Sequence, residues 1–181
     1  MDFESKITSR EISQLLWERE MTLGTAESCT GGRVAEAIIA VPGASKYFKG
    51  GIVSYADEIK ERILGVDRQL IEEKTAVCED VAVAMVKGAC KALNTDYAIA
   101  VTGIAGPGGG SAEIPVGTIW LACGNEDNVA TCQLTEDNGR DKNLSEATHT
   151  ALEMFLEFLK GEEKVCEDNV EPQGEVKWGS N

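Results

Sequence analysis

The segment Tyr97-Ala98-Ile99-Ala100-Val101 is apolar on both of its alternating faces. A strand of that kind belongs at the centre of a sheet covered on both sides, because an uncovered face would leave its side chains in water. The rest of the chain supplies the covers. Residues 79–93 place Val81, Ala82, Met85, Val86 and Ala89 on one helical face, and Asn94 marks the stop. Residues 8–20 open with Thr8-Ser9-Arg10-Glu11, the pattern of a capping box, and carry Ile12, Leu15 and Leu16 at helical spacing. A further helix is expected over 57–64, closed by Gly65, and a long final one over 142–160. Strand character falls on 21–26, 51–55, 116–123 and 129–135, with 51–55 reading as buried and the last two joined by the turn Gly124-Asn125-Glu126-Asp127-Asn128. Helices and strands alternate without a repeat and a hairpin sits late, so the expected fold is α/β, a mixed β-sheet covered by helices.

At 181 residues the chain is the size of one domain, assigned here to 1–160. Residues 161–181 are acidic, poor in large apolar side chains and expected to be a disordered tail, with its Trp178 in solvent. A formal charge of −14 without any basic run excludes a nucleic-acid partner. It is compatible with a small phosphorylated metabolite, which one or two placed cations can hold. The six cysteines include no C-x-x-C pair and there is one histidine, so no metal site is expected. The chain opens with Met1 and charged residues and has no apolar run of membrane-span length, which points to a cytoplasmic protein with reduced thiols and no membrane partner.

Chemistry gathers first at Glu27-Ser28-Cys29-Thr30-Gly31-Gly32, where a strand gives way to a helix through 33–40. Ser28 suits two roles there. It is a natural N-cap, and it is equally a nucleophile with the N–H groups of Cys29 and Thr30 beside it as an oxyanion hole and with Gly31 and Gly32 admitting substrate to the backbone. A serine needs a base, and His149 lies in the last helix with no acidic orienter on its face. Lysine is the remaining common candidate, because burial lowers an amine's proton affinity. Lys60 is the best placed, although its neighbours read as a solvated helix face. Tyr55, five residues earlier, suits a proton relay as well as simple packing. Cys29 is a rival nucleophile that lacks a histidine partner. The loop over 102–115 holds five glycines but ends in neither the G-K-[ST] of a phosphate loop nor a helix, and it reads as a shaped substrate wall.

Three long motifs stand in order: A-E-S-C-T-G-G at 26–32, G-G-I-V-S-Y-A-D-E-I-K at 50–60 and T-G-I-A-G-P-G-G-G at 102–110, closing with P-V-G-T at 115–118. Over about residues 8–160 the chain resembles the C-terminal domain of the competence-damage-inducible CinA family, whose stand-alone members are nicotinamide mononucleotide amidohydrolases. That resemblance implies hydrolysis of the nucleotide's carboxamide to nicotinate mononucleotide and ammonia, in pyridine nucleotide recycling, without a cofactor. It implies Ser28 as nucleophile, Tyr55 and Lys60 as its partners, and a pocket lined by Thr102 and the backbone of Gly103, Ile104 and Ala105. Family members carry an arginine in a Gly-Asp-Arg segment, which here reads Asn138-Gly139-Arg140 and makes Arg140 the candidate phosphate ligand. The resemblance also implies a homo-oligomer. The N-terminal, molybdopterin-protein-like domain of many members, and its pyrophosphatase activity, are not expected in this chain. Two alternatives remain: a binding or regulatory module that has lost turnover, and an amidase for another small carboxamide.

Overall fold

The computed structural model describes residues 3–168. In chain order they form α1 (Phe3–Glu18), β1 (Leu23–Glu27), α2 (Arg33–Ile39), a 3-10 turn (Ala44–Lys46), β2 (Phe48–Val53), α3 (Asp57–Leu64), α4 (Arg68–Lys74), α5 (Glu79–Leu93), β3 (Tyr97–Gly103), β4 (Ile119–Gly124), β5 (Val129–Leu134) and α6 (Arg140–Asp168). The five strands make one sheet in the order β2-β1-β3-β4-β5. β1 is parallel to both neighbours, with Thr25 opposite Gly51 and Ile99, while β3, β4 and β5 are antiparallel, with Ala100 opposite Ala122 and Leu121 opposite Cys132. This is the mixed, helix-covered α/β sheet that the alternation of periods calls for.

β3 shows why both faces are covered. Tyr97, Ile99 and Val101 point into a core made with Ile12 and Leu16 of α1, Val34 and Ile38 of α2, and Leu152 and Phe155 of α6. Tyr97 meets Phe155 and Phe158 edge-on, at ring centroid distances of 5.8 and 6.2 Å. Ala98 and Ala100 point the other way, where Ala26 and Ala122 also lie, and these small side chains let α5 approach with Val81, Ala82, Met85, Val86 and Ala89. Large residues face three helices on one side and small ones receive a single closely packed helix on the other.

Several boundaries depart from the sequence expectation. α1 is already helical at Phe3, and Thr8 does not cap it: its hydroxyl donates to the Glu4 carbonyl one turn back, at 3.2 Å. β2 begins at Phe48 and is an edge strand whose residues alternate between exposed and half-buried, where a buried strand over 51–55 was expected. Its Gly51 leaves no room for a side chain, since a Cβ there would press on Thr25 of β1 and Ala35 of α2. Residues 116–118 stay out of β4, since the Gly117 and Thr118 amides donate to Ile104 and Pro115 carbonyls in a turn. The short polar α4, capped by the Asp67 carboxylate on the Gln69 amide at 2.9 Å, has too few apolar residues to announce itself. α6 continues through Gly161 to Asp168, so the expected tail begins as helix; residues 169–181, Trp178 among them, lie outside the described residues. Among the described residues no helix is long and apolar enough to cross a membrane.

Candidate active site

The three parallel strands end side by side, and their last pairings place Glu27 opposite both Val53 and Val101. The ladder runs one step further: the Ser28 amide donates to the Val101 carbonyl and the Ser54 amide to the Glu27 carbonyl, each at 2.8 Å. Ser28, Ser54 and Thr102 are therefore held together at the carboxyl edge of the sheet, the usual place for a ligand crevice in such folds. Ser28 is buried, at 8% exposure.

Lys60 comes to Ser28 from α3. Its local sequence reads as a charged surface, yet Lys60 and Leu64, one turn apart, form the buried face of the helix while Glu58 and Arg62 stay in solvent. Lys60 is 1% exposed, and its Nζ lies 3.2 Å from Ser28 Oγ, 3.0 Å from the Ser54 carbonyl, 3.3 Å from Asp57 Oδ1 and 3.5 Å from the Tyr55 carbonyl. A buried amine is costly unless oxygen atoms replace its water, and these four do. Tyr55 thus meets Lys60 through its main chain; its side chain is 63% exposed and stands at the rim of the cleft. His149 is outside the cleft lining, between α1 and α6, with Ser5 Oγ at 3.3 Å from its Nδ1; Glu153, one turn on, stands 3.2 Å from its Nε2, an acidic neighbour on the same helix where the sequence reading expected none.

Ser28 does not cap α2. The cap position is Gly32, and the free amides at the helix start are taken by the buried Glu27 carboxylate, which accepts from Gly32 at 2.9 Å, Val34 at 3.1 Å and Ala35 at 2.9 Å. Glu27 holds the whole turn that presents Ser28. Sequence reasoning missed it, because an acid five to eight residues ahead of its amide partners matches no capping pattern. Gly31 and Gly32, expected at the substrate, lie outside the cleft; with φ of 60° and 106° they are there to turn the chain. Thr30 is likewise buried outside the cleft lining. The N–H groups of Cys29 and Thr30 lie by the Cys29 sulfur, and among the described residues no main-chain carbonyl takes them up. They and the more distant Arg140 lower the thiol's pKa, but burial outweighs them and pushes it up to about 11, with a small push in the same direction from Glu27. Cys29 is a protonated thiol at neutral pH.

Ser28 and Lys60 open onto a cleft of about 250 Å³, the scale of a small metabolite. Of the residues singled out in the sequence, Cys29, Tyr55, Thr102, Gly103, Ile104, Ala105 and Arg140 line it. The glycine loop is tied to the start of α6 twice: Arg140 Nη1 donates to the Gly106 carbonyl at 2.7 Å and Asn143 Nδ2 to the Ala105 carbonyl at 3.1 Å. Asn143 is 2% exposed and also joins Asp137, at 2.9 Å. Two lining residues carried no sequence signal, Ala76 and Val77 from the turn before α5, and a third, Asp57, lies inside the second motif without having been singled out. Among the described residues no group of three or more His, Cys, Asp or Glu side chains is placed to hold a metal.

The profile of the CinA C-terminal domain matches residues 5–159. A CinA-like protein of Geobacter sulfurreducens is 46% identical over 148 residues, which are 82% of this chain and 36% of that protein. A putative competence-damage inducible protein of Halothermothrix orenii is 40% identical over 151 residues, 83% of this chain and 37% of that one. The chain thus spans about a third of the length of these curated relatives. Among solved structures, the competence/damage inducible protein CihA of Agrobacterium tumefaciens superposes with a TM-score of 0.84 at 36% identity, covering 88% of this chain and 98% of that one. A CinA superfamily protein of Klebsiella pneumoniae gives 0.82 at 29% identity, over 87% and 98%.

Proposed function

This chain belongs to the CinA C-terminal domain family, and on that premise we propose that it hydrolyses the carboxamide of nicotinamide mononucleotide, with Ser28 as nucleophile and Lys60 as its base. The observation that carries this reading is the 3.2 Å contact between Lys60 Nζ and Ser28 Oγ, made inside the protein. A neutral amine there keeps two N–H bonds, to the Ser54 carbonyl and Asp57, and turns its lone pair to the hydroxyl.

Ser28 Oγ attacks the amide carbon as its proton passes to Lys60. The carbonyl oxygen becomes an oxyanion, for which the N–H groups of Cys29 and Thr30 are the donors at hand. Lys60 returns the proton to the amide nitrogen, the C–N bond breaks and ammonia leaves. Water then gives a proton to Lys60 and attacks the Ser28 ester, releasing nicotinate mononucleotide and restoring the hydroxyl. Lys60 reaches Ser28 directly, so no tyrosine relay is required, and the exposed ring of Tyr55 is assigned to substrate contact. Arg140 beside the glycine loop is the cation for the phosphate.

The test is ammonia release from nicotinamide mononucleotide by the purified protein and by Ser28→Ala, with the riboside and free nicotinamide compared. The nucleotide is expected to be preferred, and the variant to lose about a thousandfold or more in kcat. A folded wild type that releases no ammonia would leave a binding module or an amidase for another small carboxamide as the reading of the chain. Turnover undiminished in Ser28→Ala would remove the serine from the mechanism.

A further inference from the structure

The turn between α4 and α5 brings Ala76 and Val77 to the cleft and belongs to none of the three motifs. Its first residue, Thr75, has φ 68° and ψ 166°, a conformation that a β-branched residue rarely adopts. Strain of this kind persists only where the surroundings over-determine it, and it concentrates at working sites. Two bonds hold the turn. Thr75 Oγ1 accepts from the Val77 amide at 3.2 Å, and Thr102 Oγ1 donates to the Ala76 carbonyl at 2.8 Å. Thr102 is the 1% exposed penultimate residue of β3, so the sheet itself anchors the turn. Its hydroxyl proton is engaged there and is not a donor for substrate. Val77, half-buried, is with Ile104 and the ring of Tyr55 one of three sizeable apolar side chains in a lining whose other members are polar, small or glycine, and it is the one that the strained turn carries.

We propose that Val77 determines the specificity of the cleft, as the apolar wall for the ring that bears the scissile carboxamide, and that Thr102 is the positioning residue that holds this wall in place. The inference rests on Ser28 being the nucleophile, but not on the identity of the nucleotide. It assigns the cleft to flat, ring-bearing acyl groups over short aliphatic ones.

The test uses two serine-directed probes that differ in this respect, phenylmethanesulfonyl fluoride and methanesulfonyl fluoride, with labelling of Ser28 followed by mass spectrometry. In either reaction the Oγ–S bond forms as S–F breaks, fluoride leaves and the hydroxyl proton passes to Lys60. The ratio of aryl to methyl labelling rates is expected to fall about fivefold to tenfold in Val77→Ala and Thr102→Val, the low end of what a methylene or two commands in an apolar pocket. Thr102→Ser, which keeps the hydroxyl, restores it. With nicotinamide mononucleotide, Val77→Ala raises KM by a similar factor and changes kcat little. A ratio unchanged in folded Val77→Ala overturns the proposal, and a ratio that Thr102→Ser fails to restore overturns the role of Thr102. If Ser28 takes neither probe, the proposal and the nucleophile fall together. If the ratio depends on Val77 but no ammonia is released from the nucleotide, the wall stands and the substrate reading alone is lost.

Discussion

Cys29 adjoins the proposed nucleophile and has intrinsically the more reactive side chain, yet the fold has disarmed it. With its pKa pushed up to about 11 from an ordinary 9.0, it holds about a hundredth of the usual thiolate at pH 8. Iodoacetamide at pH 8 is therefore expected to label Cys29 about a hundredfold more slowly in the folded protein than in the denatured chain, with the rate climbing only as pH approaches 11. A folded-state rate equal to the denatured one would put a reactive thiol back in the site. Ser28 and its neighbours were visible in the sequence because motif and residue type coincide. Lys60 was nameable as the best-placed lysine once histidine was set aside, but its burial was not visible, since nothing in Asp57-Glu58-Ile59-Lys60-Glu61-Arg62 says which charge turns inward. That is decided by Leu64, one turn on, which rotates the helix toward the core.

At the scale of elements, the position of α3 is set by its contact with α5. A Cβ added at Gly88 of α5 would stand 1.9 Å from the Leu64 carbonyl oxygen at the end of α3. Gly88→Ala should therefore destabilise the protein by about 1–3 kcal/mol, even though alanine favours a helix over glycine by about 1 kcal/mol. Because α3 carries Lys60, activity is expected to fall by about tenfold in the same variant at temperatures where it remains folded. Urea unfolding and ammonia release would check the two effects, and a variant as stable and active as the wild type would show that the helices are free to part. The longer elements were legible: α3 and α5 stand at 57–64 and 79–93, where apolar period and stop signals agree. β2 and α4 were not, because an edge strand half in water and a seven-residue polar helix leave weak patterns. The turn at 75–78 was illegible for another reason: Thr75, which turns the chain and accepts from the Val77 amide, is not a residue type that announces a turn, and the anchoring Thr102 is distant in sequence.

On the scale of the whole molecule, the site exists because the parallel trio β2-β1-β3 ends at one edge of the sheet, with a helical layer on each face contributing to it. Lys60 comes from the α5 side of the sheet and Arg140 and Asn143 from the α6 side. The chain that surrounds the site carries −14, which repels an anionic nucleotide at long range. Screening that repulsion should lower KM for nicotinamide mononucleotide as salt is raised from about 20 to about 150 mM, while KM for an uncharged carboxamide such as free nicotinamide, where it is turned over, is unaffected. A KM that rises with salt would instead mark attraction by Arg140 as the dominant field. The Glu27 carboxylate sharpens this. By closing the amides of α2 on itself it leaves that helix no pull on passing anions, so the encounter is unsteered. Selection among the many phosphorylated metabolites of a cell is then made after contact, by shape and by the few groups that touch, and a crowd of wrong anions is kept off by the same field that slows the right one.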